Sequence, residues 1–194
     1  VATAMETLDL HDAVVVGHSM GGAVALGLAI DRPTLTSERI AALVVVNGSA
    51  RGPADQPLAR ARVAVLDWKV TEQLSRQRHG LVVARSNFGA DPRRSHVVAV
   101  RTIGSASPAE RRRGLTRRLL GIDLTPRLGE IGVPVLALAG EADRVLSPSE
   151  STRIVAAVAG ARLVVFERAG HMLPLERCAE VAEQILTVSY SASS

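Results

Sequence analysis

A chain of 194 residues can bury one substantial core and gives no reason for a second, because domains of this size hide roughly 70% of their unfolded surface. Hydrophobic residues make up 47% and aromatics only 2%, so Val, Ala and Leu must fill an interior suited to buried parallel strands and the helices that cover them. The 23 basic and 19 acidic residues leave a net charge of +4, weak grounds for a polyanionic partner, and neither a recognised nucleic-acid module nor stacking aromatics are present.

No apolar run approaches the roughly 18 residues needed to span a bilayer, and no charged segment with an apolar signal core leads the chain. A cytoplasmic protein without a membrane span is therefore expected. The single cysteine, Cys178, makes no internal disulfide, lies outside any metal-ligand cluster and is read as structural.

In chain order, residues 4–10 suit a short helix, and the run 13–16, all Val after Ala13, reads as a buried strand that stops at Gly17. Residues 23–30 are uniformly apolar and form a buried helix, which Pro33 ends because the residue before a proline avoids helical geometry. A second strand, 40–46, runs into Asn47, Gly48 and Ser49. A third, 133–139, runs into Gly140, Glu141, Ala142 and Asp143. A helix over 149–158 separates it from a fourth strand, 162–166, whose loop reaches His171. Residues 173–188 have the period of a closing amphipathic helix, and the Ser/Ala-rich tail 189–194 is expected to fray. Strands alternating with helices give an α/β fold with a parallel sheet.

Residues 50–128 break this rhythm with arginines, short helical patterns and Gly89, Pro92, Gly104 and Pro108, so they read as a helical insertion. The expected organisation is then 1–49 core, 50–128 insertion, 129–188 core and 189–194 tail. Arg111, Arg112, Arg113, Arg117 and Arg118 fit a solvated helix face, with anionic lipid or an acidic substrate as the alternative.

The chemistry concentrates in Gly17-His18-Ser19-Met20-Gly21-Gly22. A serine hydroxyl is a poor nucleophile at neutral pH and needs a base within hydrogen-bond reach and a third group to orient that base. Gly17 and Gly21, two before and two after Ser19, suit a strained turn from strand to helix where crowding tolerates little side chain. The pattern alone could be a connecting turn, but here it follows a Val-rich strand and precedes a buried helix.

Taken with Gly140-Glu141-Ala142-Asp143 and Ala169-Gly170-His171-Met172-Leu173-Pro174-Leu175-Glu176, the elbow resembles the α/β-hydrolase superfamily, with the motifs in family order. The resemblance carries the acid to Asp143, the base to His171, the nucleophile to Ser19 and one oxyanion donor to the Met20 amide. Glu141 is an alternate acid, and His18 is read as shaping the elbow. No cofactor or metal is implied, since the triad supplies nucleophile, base and electrostatics.

The resemblance implies a carboxy-terminal portion holding strands five to eight, because only Val1 to Asp12 precede the elbow strand. The family's first four strands and its His-Gly oxyanion loop are not expected, which would expose the elbow strand as an edge open to self-association. The insertion would be a cap over the site, with Trp68 and Phe88 either lining an acyl pocket or packing within the cap. The implied activity is a serine hydrolase acting on a small ester, related acyl or carbon–carbon substrate. The alternative is a catalytically silent fragment that binds a ligand or needs its missing half.

Overall fold

The computed structural model describes residues 1–52, 79–106, 114, 115, 118 and 121–192. Its centre is a four-stranded parallel sheet of β1 (Ala13–His18), β2 (Ile40–Val46), β3 (Val135–Gly140) and β4 (Arg162–Phe166), neighbours in that order. The register pairs His18 with Val46, Val46 with Leu138, and Gly140 with Phe166. All four strands therefore end at one edge, where the loops after them converge.

Strand β2 shows why its sequence is an unbroken apolar run. Leu43 and Val45 face Leu26 and Ala29 of α2 (Met20–Asp31), together with Ile154 of α6 (Pro148–Ala157). Ala42, Val44 and Val46 face the other way, towards Val181 and Val188 of α8 (Cys178–Ala192). A strand covered on both faces has no position for a polar side chain. β1 is the counterexample: among the described residues it pairs on one side only, and Val16 is 46% exposed.

Several expected boundaries move, beginning with α1, which spans Ala2–Thr7 rather than residues 4–10. The glycine-rich turn is itself the first turn of α2, which begins at Met20 rather than Ala23. Pro33 ends α2 as expected but also opens a further helix, α3 (Pro33–Arg39), because the fixed φ of proline suits the first helical position, where no N–H is needed. The closing helix is two pieces, α7 (Leu173–Glu176) and α8, broken at Arg177. α8 runs into the expected tail as far as Ala192, and residues 193 and 194 lie outside the described residues.

The two flanks of the stretch expected to be an insertion pair with each other. Gly52 N–H donates to the Ile122 carbonyl (2.7 Å) and Leu124 N–H to the Ala50 carbonyl (2.8 Å). Beneath this bridge the buried Glu150 carboxylate accepts from Ser49 Oγ (2.8 Å) and pairs with Arg51 (3.3 Å). Within the insertion, α4 (His79–Arg85) and α5 (Arg94–Ala106) pack through Ala84, Phe88 and Val97. Phe88 is buried against Met172 and Leu175, so packing rather than pocket lining describes it. Trp68, Arg111, Arg112, Arg113 and Arg117 lie outside the described residues. No helix among the described residues is long and apolar enough to cross a membrane. Cys178 is free and exposed at the start of α8.

Candidate active site

Ser19 sits between β1 and α2 with φ 54° and ψ −119°, backbone geometry that a side-chain-bearing residue adopts only when its surroundings enforce it. Three close approaches do so. A Cβ on Gly17 would strike the Gly21 carbonyl and the Gly22 amide. One on Gly22 would come within 2.9 Å of Val45 Cγ1 and 3.2 Å of the Gly48 Cα. One on Gly48 would meet the same Val45 methyl at 2.5 Å.

Gly21 corrects the sequence reading, for a Cβ there meets nothing within 4 Å. The second glycine that cannot take a Cβ is Gly22, whereas Gly21 crowds Gly17 only through its backbone and its own Cβ position faces open space on the first turn of α2. Gly17→Ala is therefore expected to destabilise the fold by about 2 kcal/mol or more, as overpacking against rigid backbone does. Gly21→Ala should be neutral or stabilising by a few tenths of a kcal/mol, since alanine restricts the unfolded chain more than glycine does. Urea midpoints of the two variants, read against wild type, check both.

The expected partners converge on Ser19. Its Oγ–H donates to His171 Nε2 at 2.8 Å, and His171 Nδ1–H donates to Asp143 Oδ2 at 2.8 Å. The tautomer with its proton on Nδ1 is assigned from this network. His171 and Asp143 are buried, 5% and 8% exposed, although they come from loops after different strands. Asp143 Oδ1 accepts from the Val145 and Leu146 amides (2.7 and 3.0 Å), which fixes the carboxylate plane. Burial pushes this carboxyl up, but the His171 hydrogen bond and charge, aided by the two amides, hold it below the ordinary aspartate value.

Glu141 does not reach His171; its Oε2 accepts from the Arg168 N–H (3.1 Å). His18 Nε2–H donates to the His171 backbone carbonyl (2.7 Å), with the two rings 5.1 Å apart. Desolvation is the main reason its imidazole titrates below the usual value, so His18 is neutral at neutral pH. Met20 is the first residue of α2, and its amide is among the N-terminal N–H groups that a helix leaves without intrahelical acceptors. Among the described residues, no group of three or more His, Cys, Asp or Glu side chains is arranged to hold a metal ion.

Asn47 is the site residue that the sequence reading missed. Buried and at φ 44°, it follows β2 directly and donates through Nδ2 to Asp143 Oδ2 (2.7 Å) and the Gly170 carbonyl (2.9 Å). Its Oδ1 accepts from the Gly140 N–H at 3.3 Å. One amide thus joins the ends of β2 and β3 and the loop carrying His171. The available signal was a polar residue closing an all-apolar strand, in a backbone region that asparagine enters more readily than most residues.

The chain is 27% identical over 182 residues to a 2-hydroxy-6-oxononadienedioate/2-hydroxy-6-oxononatrienedioate hydrolase of Paraburkholderia xenovorans, covering 86% of this chain and 58% of that protein. It is 26% identical over 186 residues to the 2-hydroxy-6-oxo-6-phenylhexa-2,4-dienoate hydrolase of Comamonas testosteroni, covering 91% and 62%. This chain thus spans about three-fifths of the length of these curated relatives. A crystal structure of a hydrolase from Pseudomonas aeruginosa PA01 aligns with TM-score 0.77 at 28% identity, covering 96% of this chain and 68% of that one. Residues 1–184, from the elbow strand's approach through the histidine loop and into the last helix, match the alpha/beta hydrolase family, and the chain belongs to it.

Proposed function

We propose that the protein is a serine hydrolase that cleaves a carboxylic ester or related acyl bond through an acyl-enzyme. The observation that carries this reading is the continuous path from Ser19 Oγ through both nitrogens of His171 to Asp143, anchored on a serine held at positive φ. Relatives named as hydrolases support the class of reaction.

Ser19 Oγ attacks the substrate carbonyl carbon while His171 Nε2 takes its proton. Asp143 holds the imidazole in the required tautomer and stabilises the imidazolium. The Met20 amide, at the start of α2, stabilises the developing oxyanion. Collapse expels the leaving group, which receives the proton from Nε2 and leaves Ser19 acylated. Water then attacks the acyl carbon, gives a proton to His171 and releases the acid as Ser19 recovers its hydrogen. The net change is addition of one water across the acyl bond. Residues 50–128 would serve as the cap over the substrate, a reading supported by residues 87–90, which lie along the loop carrying His171.

A fluorophosphonate probe tests the proposal. The expected result is one covalent adduct on the peptide containing Ser19, formed by folded protein and lost after unfolding in urea. Folded protein that takes up no probe would overturn the proposal in favour of a binding role.

A further inference from the structure

The geometry points to Glu176 as a positioning residue for His171, one that locks a strap of the insertion onto the loop carrying the base; this rests on the hydrolase reading above. Glu176 closes α7 and lies partly buried. Its carboxylate accepts from the Gly170 N–H through both oxygens (3.0 and 3.1 Å) and from the Gly89 N–H through Oε2 (2.7 Å). One side chain therefore binds the residue immediately before His171 and a residue of the insertion some eighty positions earlier.

The surrounding backbone is fitted to this double contact. The Met172 N–H donates to the Asn87 carbonyl (3.1 Å) and the Ala90 N–H to the Arg168 carbonyl (3.0 Å), so residues 87–90 lie directly along residues 168–172. A Cβ on Gly89 would collide with the Arg168 carbonyl, and one on Gly170 with the backbone of Phe88 and Gly89. On the outer side, the Arg85 guanidinium donates to the carbonyls of Phe88, Gly89 and Ala90 (3.3, 2.8 and 2.7 Å), which holds the strap in its bent form.

The contact also leads inward. The Gly170 carbonyl, on the same residue whose N–H Glu176 holds, accepts from Asn47 Nδ2, and that amide donates to Asp143 Oδ2 beside His171 Nδ1. Glu176 thus fixes the outer end of a network whose inner end orients the base. A carboxylate that merely capped a helix would have no reason to span the insertion and the histidine loop together. How the insertion is seated is then transmitted to the orientation of His171, so a disturbed strap should slow chemistry rather than weaken substrate capture.

The test is the saturating rate of Ser19 phosphonylation by the fluorophosphonate, separated from the probe concentration at half-saturation. Glu176→Ala is expected to lower the rate by about 10- to 100-fold, the range a small misplacement of a reacting group produces, with half-saturation within about twofold. Amide exchange at Gly89 and Gly170 should accelerate in the same variant while β2 and β3 stay protected.

Glu176→Gln keeps one oxygen of the right reach, which in the Oε2 place can accept from both Gly89 and Gly170 while its NH₂ gives up the Oε1 contact, so it should restore part of the rate. Glu176→Asp keeps the charge but falls one methylene short and should not. These two variants decide the matter even where Glu176→Ala does not fold. Wild-type rates in Glu176→Ala, or an Asp variant as fast as the Gln variant, would overturn the inference. Wild-type protein without any adduct would instead defeat the hydrolase reading, while the exchange measurement would still report whether Glu176 ties the strap to the loop.

Discussion

Replacing Ser19 with Ala is expected to lower turnover of an activated ester by about 10⁶-fold, the scale on which removal of a triad nucleophile acts, while the protein stays folded. The two halves of this expectation have separate causes. The Ser19 hydroxyl donates to His171 Nε2, and residue 19 is only partly buried, so water can take the place of the lost hydroxyl beside the buried imidazole. Alanine carries the same Cβ as serine, so the positive-φ backbone enforced by Gly17, Gly22 and Gly48 is neither relieved nor worsened. The urea midpoint should therefore stay within about 0.5 kcal/mol of wild type, as for substitutions outside the core.

His171→Ala should cost about as much activity, and the double variant scarcely more than either single one, because nucleophile and base act as one unit. Steady-state hydrolysis of a p-nitrophenyl ester by the four proteins reads this directly. Additive losses in the double variant would mean that Ser19 and His171 do not work together.

The strands were legible because each is described by local pattern alone: β2 fills its apolar run from Ile40 to Val46, and β4 adds only Arg162 to the run that ends at Phe166. The same holds for Ser19, Asp143 and His171, each announced by a short motif in its own loop. What escaped was whatever depends on two distant segments meeting. Asn47 and Asp143 are 96 positions apart, and although a polar residue closing an apolar strand marks Asn47, its partner is not defined until β2 and β3 pair and bring both strand ends together. Glu176 was visible within the histidine motif, yet its role requires Gly89 to lie against Gly170. The glycine pattern misled in a similar way. Spacing selects Gly21, whereas the close approach of Gly48 and Val45 selects Gly22.

Asp143→Asn should reduce turnover by about 10⁴-fold with the histidine still in place, and the reason lies in how completely the carboxylate is used. Oδ1 accepts from two backbone amides, Val145 and Leu146, and Oδ2 accepts from Asn47 Nδ2 and His171 Nδ1. All four partners are donors. An asparagine brings an NH₂ that must face one pair or the other.

Turned towards the backbone, the NH₂ opposes two amide protons that cannot move. Turned inward, it opposes Asn47 and forces His171 to accept at Nδ1, which places the imidazole proton on Nε2, the atom that must be free to take the proton of Ser19. Either orientation leaves a buried donor unpaired, at a cost of about 1–3 kcal/mol in stability. The native carboxyl titrates below its unfolded value of about 3.9. Its contribution to stability is therefore complete above that value and lost as the pH falls through the lower native one. Urea unfolding should show the wild type's margin over Asp143→Asn holding at pH 7 and narrowing below about pH 4. A margin that grows on acidification, or an Asn variant that retains more than about a hundredth of wild-type turnover, would mean that His171 does not depend on Asp143 for its tautomer.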